Sequence, residues 1–264
     1  MHAIATLLNQ KQSRLIIAGI PFRLSAGLRP PRDTSRSSIS ITWTDTPHRA
    51  ACPPPAQAIR IHGQREYRGW YDPETRVGEL CLMGHHPEAA LVSYLRQVAT
   101  WLVYRHGGLV MHSATLISRQ HALIFYGHSG AGKTTLCQHA PSRTPILTDD
   151  LTGLIKTRGK WRAWGMPTLT HAHWIKQTQG IRVKALFRLI KATVTRIDPI
   201  SSARAAAQAA CFPHVLGNTR PWTEPLLDRL ADLAQSVRCF DLHFEKTGAY
   251  WDLVSKRIDF QPIQ

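Results

Sequence analysis

Leu123-Ile-Phe-Tyr-Gly127-His-Ser-Gly-Ala-Gly132-Lys-Thr-Thr-Leu136 decides how this chain is read. An apolar, β-prone run enters a complete G-x-x-x-x-G-K-[ST] loop, and the residues after it open a short helix. Glycines at 127 and 132 let the backbone pass close to phosphate groups. Successive N–H groups and the N-terminus of the following helix then point at negative charge. The expected ATP cradle runs through Gly127, His128, Ser129, Gly130, Ala131 and Gly132, and continues into Lys133, Thr134 and Thr135. Lys133 is spaced to reach the β- and γ-phosphates, and the Thr134 hydroxyl is placed to bind Mg²⁺. A glycine-rich turn that happens to end in Lys-Thr is the plain alternative, and the strand–loop–helix context argues against it.

Downstream, Pro141 keeps the helix brief, and a β-type run Pro145-Ile-Leu-Thr ends in Asp149-Asp150. After a phosphate loop, one carboxylate is commonly needed for Mg²⁺ and another to accept a hydroxyl proton. Adjacent residues on a regular strand face opposite ways, so the strand must end or bend here if both serve one site. A turn or helix cap built on Asp-Asp is the competing reading. Upstream, residues 87–105 repeat apolar side chains at helical spacing, and Gly107-Gly108 stops them. Two β-type runs follow, Leu109–Ile117 and His121–Tyr126, joined by a connection short enough for a hairpin.

The order of His112, the hairpin into Gly-His-Ser-Gly-Ala-Gly-Lys-Thr-Thr, and Leu147-Thr-Asp-Asp resembles the catalytic domain of the HPr kinase/phosphorylase family. The resemblance is strongest over 109–155 and extends thinly to about residue 256, through Cys211-Phe-Pro-His and Tyr250-Trp-Asp-Leu. It implies an α/β fold with a P-loop-containing, phosphoenolpyruvate-carboxykinase-like core, preceded by a small, mainly β N-terminal region. By resemblance His112 faces the transferred phosphate, Asp149 is the general base and Asp150 holds Mg²⁺; the two aspartates could exchange roles. His128 stands where HPr kinases usually carry an acidic residue, and the stretch after Trp164 lacks the family's phosphorylase signature. These departures point to a divergent branch and an acceptor other than HPr. Members of the family form hexamers, which implies a homo-oligomer.

At 264 residues and 43% hydrophobic, the chain has room for a core and a smaller companion, divided here as 1–84 and 85–264. Pro, Arg and Ser dominate 27–57, a loop or linker, within which Ile39, Ile41 and Trp43 alternate like a half-buried strand. Within 14–24 a strand pair or an interrupted strand is expected, with Pro21 arguing against a central position. The net charge of +16 attracts anions of every class, but no basic block, zinc-finger spacing or aromatic–basic pattern favours nucleic acid. Five cysteines without a C-x-x-C pair read as a reduced, cytoplasmic chain. No apolar run approaches the ~18 residues of a membrane span.

His171-Ala-His173, His85-His86 and Cys211-x-x-His214 offer too few ligands at metal spacing, so packing or surface roles are preferred. Trp161, Trp164 and Trp174 read as core before they read as pocket walls. The functional expectation is a Mg·ATP-dependent kinase acting on a serine-type hydroxyl of a peptide, protein or small molecule. The alternative is a nucleotide-binding regulatory protein that transfers nothing. Transporter-type ATPases and GTPases are disfavoured, because neither Leu-Ser-Gly-Gly-Gln nor Asn-Lys-x-Asp occurs.

Overall fold

The computed structural model describes residues 2–10, 12–18, 20–26, 38–44, 54–63, 66–169, 177–214, 223–245 and 247–259. The fold is mixed α/β, with two sheets and few helices. The chain divides into two compact units, Met1–Trp101 with Met166–Gln179, and Leu102–Gly165 with Gly180–Gln264. The sequence division after residue 84 falls just before a helix over Pro87–Arg105, whereas the units part inside that helix.

Unit 1 begins with α1 (His2–Asn9) and holds β1 (Gln12–Ile17), β2 (Ile20–Ala26), β3 (Ile39–Thr44), β4 (Ile59–Gly63), β5 (Tyr67–Asp72) and β6 (Val77–Leu82). These six strands form one sheet in the order β1-β2-β3-β6-β5-β4. β2 is flanked on both sides, contrary to the expectation from Pro21. The proline is tolerated because it precedes the β3 ladder, which starts at Phe22 paired with Ile39. β3 also differs from expectation: Ile39, Ser40, Ile41 and Thr42 are all buried, so both faces are covered and alternation misled. α2 (Pro87–Arg105) contributes Tyr94, whose hydroxyl donates to the Trp70 carbonyl at 2.7 Å.

Unit 2 holds β7 (Leu109–Ser118), β8 (His121–Tyr126), α3 (Lys133–Gln138), β9 (Ile146–Thr148), β10 (Leu151–Thr157) and β11 (Lys160–Gly165). It continues with β12 (Ile181–Lys191), β13 (Arg196–Pro199), α4 (Ser202–Ala209), α5 (Thr223–Ser236), β14 (Arg238–Phe244) and α6 (Tyr250–Asp259). The sheet order is β11-β10-β7-β8-β12-β14-β13, with β9 also on β7 and β11 also on β12. The five strands β11, β10, β7, β8 and β12 therefore close into a ring.

β8 explains why its sequence is a continuous apolar run. Ala122, Ile124 and Tyr126 enter a core shared with Leu226 and Leu230 of α5, whereas Leu123 and Phe125 enter another shared with Leu136 of α3 and Val254 of α6. A strand buried on both faces has no polar side to show. The parallel strands β8, β12 and β14 are locked by a ladder of rings. Phe125 stacks on Phe187 at 5.0 Å, and Phe187 on Phe240 at 5.1 Å. Each such pair contributes about 0.5–1.5 kcal/mol beyond its buried area. Trp161 and Trp164 are core residues as read, and Trp174 lies outside the described residues. Among the described residues no helix is long and apolar enough to cross a membrane.

Candidate functional site

β8 ends at Tyr126 and the chain leaves the sheet at Gly127. A Cβ there would stand 2.9 Å from the Ala131 Cβ and 3.2 Å from the Leu189 carbonyl oxygen, so the turn requires glycine. Gly130 (φ +74°) and Gly132 (φ +107°) hold left-handed conformations that side chains disfavour. Ala131 N–H donates to the His128 carbonyl at 3.0 Å, which closes the loop, and Gly132 leads into α3. Ser129, Gly130 and Thr134 are exposed, and Thr135 is half-buried.

Lys133 turns back over this loop. Its Nζ donates to the Gly127 carbonyl at 2.8 Å and to the His128 carbonyl at 3.3 Å. Burial lowers its pKa below the usual lysine value, and the negative charge of Asp150 opposes that shift. Lys133 and Asp150 therefore sense one another, although seventeen positions separate them in sequence.

The aspartate pair lies along β7. Thr148 of β9 is opposite Thr115, Leu151 of β10 is opposite His112, and Ser113 N–H donates to the Asp150 carbonyl at 3.0 Å. The register at Thr115–Thr148 continues at His112–Leu151 across the bend at Asp149-Asp150, and it shifts between Thr115 and Leu116. Thr148 Oγ1 makes the bend, accepting from the N–H groups of Asp150 at 3.2 Å and Leu151 at 3.3 Å. The expected end or bend of the strand is present. Asp150 faces His112, with Oδ1 3.7 Å from Nδ1. Asp149 lies toward α3, where its charge adds to burial in pushing the Cys137 thiol up to about 12.

Beneath this corner, Ser113, Thr115 and Thr152 are fully buried and share hydrogen bonds. Ser113 Oγ donates to Thr152 Oγ1 at 2.8 Å, and Thr115 Oγ1 lies 2.7 Å from the same atom. This hydroxyl chain ties β7 to β10 and keeps the bend from sliding.

Three residues of this neighbourhood were not legible as functional. His214, set aside in sequence as a failed metal pair with Cys211, has Nδ1 3.3 Å from His112 Nε2, with the rings 5.1 Å apart and edge to face. One nitrogen donates and the other accepts. With Asp150 at His112 Nδ1, the complementary assignment is Nδ1–H toward the carboxylate and Nε2 accepting from His214. The Tyr104 hydroxyl donates to the His214 carbonyl and anchors the segment. Lys191, the last residue of β12, brings Nζ within 3.9 Å of the position a Cβ on Gly130 would occupy. Arg188, opposite Tyr126, is fixed by Asp241 through bonds of 2.8 and 3.0 Å. The usable signal was topological: each stands near the C-terminal end of a strand beside β8, or on a segment bonded to β7.

The loop residue His128 packs edge to face on Phe212 at 5.0 Å, which joins the loop to this segment. Of the other histidines considered, His85 and His86 are exposed in unit 1, and His171 and His173 lie outside the described residues.

The site defines a class: a mixed α/β unit with a glycine-turned strand–loop–helix, a lysine, and a carboxylate pair at the bend between β9 and β10, both of which pair with β7. The chain belongs to the family described as SynChlorMet cassette protein ScmC, which matches residues 86–259, well over half its length. This corrects the resemblance to HPr kinase/phosphorylase, which is not the family found. The shared signs were a G-x-x-x-x-G-K-[ST] motif and paired aspartates, short patterns that recur on unrelated proteins and are poor markers of descent. No curated protein matches the chain.

Proposed function

We propose that the chain is a Mg·ATP-dependent kinase built on a P-loop core, moving the γ-phosphoryl group to a serine-type hydroxyl of a peptide, protein or small molecule. The observation that carries this reading is the convergence at one corner of unit 2: Lys133 over the glycine loop, Asp150 within its electrostatic reach, and His112 3.7 Å from Asp150. A plain glycine turn has no need of that company.

Gly127, Gly130 and Gly132 leave the backbone N–H groups room to approach phosphate oxygens, and Lys133 and Lys191 supply positive charge on either side. The donors suited to Mg²⁺ are the Thr134 hydroxyl and the Asp150 carboxylate. Two oxygen ligands fit an ion that keeps several waters and shares phosphate oxygens. Held there, Mg²⁺ would supply positive charge to the phosphates during transfer. Asp149 accepts the proton of the attacking hydroxyl. His112, oriented by Asp150 and His214, faces the transferred group. The chain's contribution is positioning and charge.

The test is incubation with γ-labelled ATP, Mg²⁺ and a pool of Ser, Thr and Tyr peptides and small hydroxyl compounds, read by mass. Lys133→Ala should abolish labelling. Asp149→Asn should lower it by about 10²–10⁴-fold while ATP binding, measured by calorimetry, is retained. ATP binding with no labelled acceptor, and with Asp149→Asn indistinguishable from the parent, would favour the regulatory nucleotide-binding reading. Absence of ATP binding would sink both.

A further inference from the structure

We propose that unit 2 carries a second binding site, for an acidic peptide segment with interspersed aliphatic side chains, at the edge of its sheet opposite the phosphate loop. The loop follows the C-terminal end of β8, to which β12 and β14 run in parallel. At the other end of the same strands lies a cavity of about 850 Å³, reached by His121, by Arg182 to Lys184, and by Arg238 to Phe240. The six residues of β8 separate the two by about 20 Å.

The volume is that of a ligand cleft. Its charge is one-sided: Arg119, Arg182, Lys184 and Arg238 line it, and no Asp or Glu does among the described residues. Arg182 and Lys184 make no ion pair among the described residues. The floor is aliphatic, with Val183, Ile200, Val237 and Ile258.

Two irregularities of the backbone are spent on this spot. Pairing of β12 with β8 shifts between Val183 and Ala185, which leaves Lys184 as an inserted bulge residue. There the flank of β12 also passes from β11, paired at Ile181 and Arg182, to β14, paired from Ala185. Bulges re-aim side chains, and Lys184 lines the cavity. The β7–β8 turn holds Arg119 (φ 45°) and Gln120 (φ 65°) in the left-handed region, where glycine or asparagine is usual. A two-residue hairpin turn requires that conformation, and here it places Arg119 at the cavity.

Carboxylates complement the basic rim, and leucine-like side chains complement the floor. A nucleic acid fits less well, because single strands are held chiefly by stacking on exposed Phe, Tyr or Trp faces, and Phe240, the one such residue of the lining, is buried. The site is independent of phosphoryl transfer at the loop.

The probe is a short fluorescein-labelled peptide of alternating Glu and Leu blocks, titrated with the full chain and followed by anisotropy. The variant Arg182→Glu with Lys184→Glu should bind at least about tenfold more weakly, from the loss and reversal of two charge contacts. A control with the same charge change elsewhere, Arg143→Glu with Lys160→Glu, should lose less than about twofold. Arg182→Gln with Lys184→Gln, checked by circular dichroism, gives the same ordering if the reversed pair fails to fold. Absence of saturable binding, equal losses in both variant pairs, or equal displacement by an oligothymidylate of matched charge would each overturn the site.

Discussion

Asp241→Ala should be among the most damaging single substitutions in unit 2. Asp241 is 3% exposed on β14, and it accepts from Arg188 Nε at 2.8 Å, from Arg188 Nη2 at 3.0 Å and from Arg204 Nη2 at 3.0 Å. Removing the carboxylate strands the Arg188 guanidinium, whose side chain is only 26% exposed, and such a break costs about 3–5 kcal/mol. Arg204, 57% exposed, can reach water instead, so Arg204→Ala should cost no more than about 1 kcal/mol. Arg188→Ala falls between, because Arg204 remains beside Asp241. Against a total of about 5–15 kcal/mol the first variant should be near unfolding. Urea denaturation followed by circular dichroism should show its midpoint lowered by about 1–3 M. The double variant Arg188→Met with Asp241→Leu, which removes both charges, should recover most of the loss. If Asp241→Ala costs less than about 1 kcal/mol, or no more than Arg204→Ala, the network is not holding β12 to β14 and the reasoning fails.

Two further predictions are separable from the phosphoryl-transfer assay. Gly159→Ala, at φ +73° with nothing within 4 Å of the new methyl, should cost about 1 kcal/mol of left-handed strain and leave ATP binding alone. Gly132→Ala adds a 3.2 Å contact with the Phe244 ring at φ +107°, so its urea midpoint should fall further and its calorimetric ATP affinity should drop; equal effects would refute the contact. Among the cysteines, Cys211 is exposed, whereas burial pushes the Cys137 and Cys239 thiols up to about 12. Iodoacetamide at mildly alkaline pH should therefore modify Cys211 in the native chain and reach Cys137 and Cys239 only after unfolding, because the thiolate is the reactive form. Native labelling of Cys137 at the rate of Cys211 would contradict its burial.

Local rules made the loop readable. Gly127 and Gly132 are needed by the backbone itself, and the break expected at Asp149-Asp150 is there, made by the Thr148 hydroxyl accepting from the N–H groups of Asp150 and Leu151. The hairpin 109–126 and the helix over 87–105 were also legible, each bounded by glycine, proline or a change of period. β4, β5 and β6 were not found, because Ile59–Leu82 alternates weakly and its order comes from neighbours in the sheet. β10 and β11 were missed for a similar reason. Leu151–Ile155 is buried on both faces, and its Thr152 looks like a solvent-facing residue until Ser113 and Thr115 are seen to bond it. The family was not legible, because a short glycine-rich motif records a local need of the backbone before it records ancestry.

His214 shows how a site residue can arise from backbone accounting. β8 pairs with β7 only from Ser113 onward, because the chain must leave the sheet at Gly127 to form the loop. That departure would expose the N–H of His112 and the carbonyl of Val110, and buried backbone groups are rarely left unpaired. Phe212-Pro213-His214 fills the vacancy: His112 N–H donates to the Phe212 carbonyl at 3.0 Å, and His214 N–H donates to the Val110 carbonyl at 2.7 Å. Pro213, bridged to Met111, occupies the middle of the pairing. The same exchange sets the His214 ring against His112, and the Phe212 ring against His128 of the loop. Opening the loop therefore recruits the segment that orients His112, and no spacing rule along the sequence links residues one hundred and two positions apart.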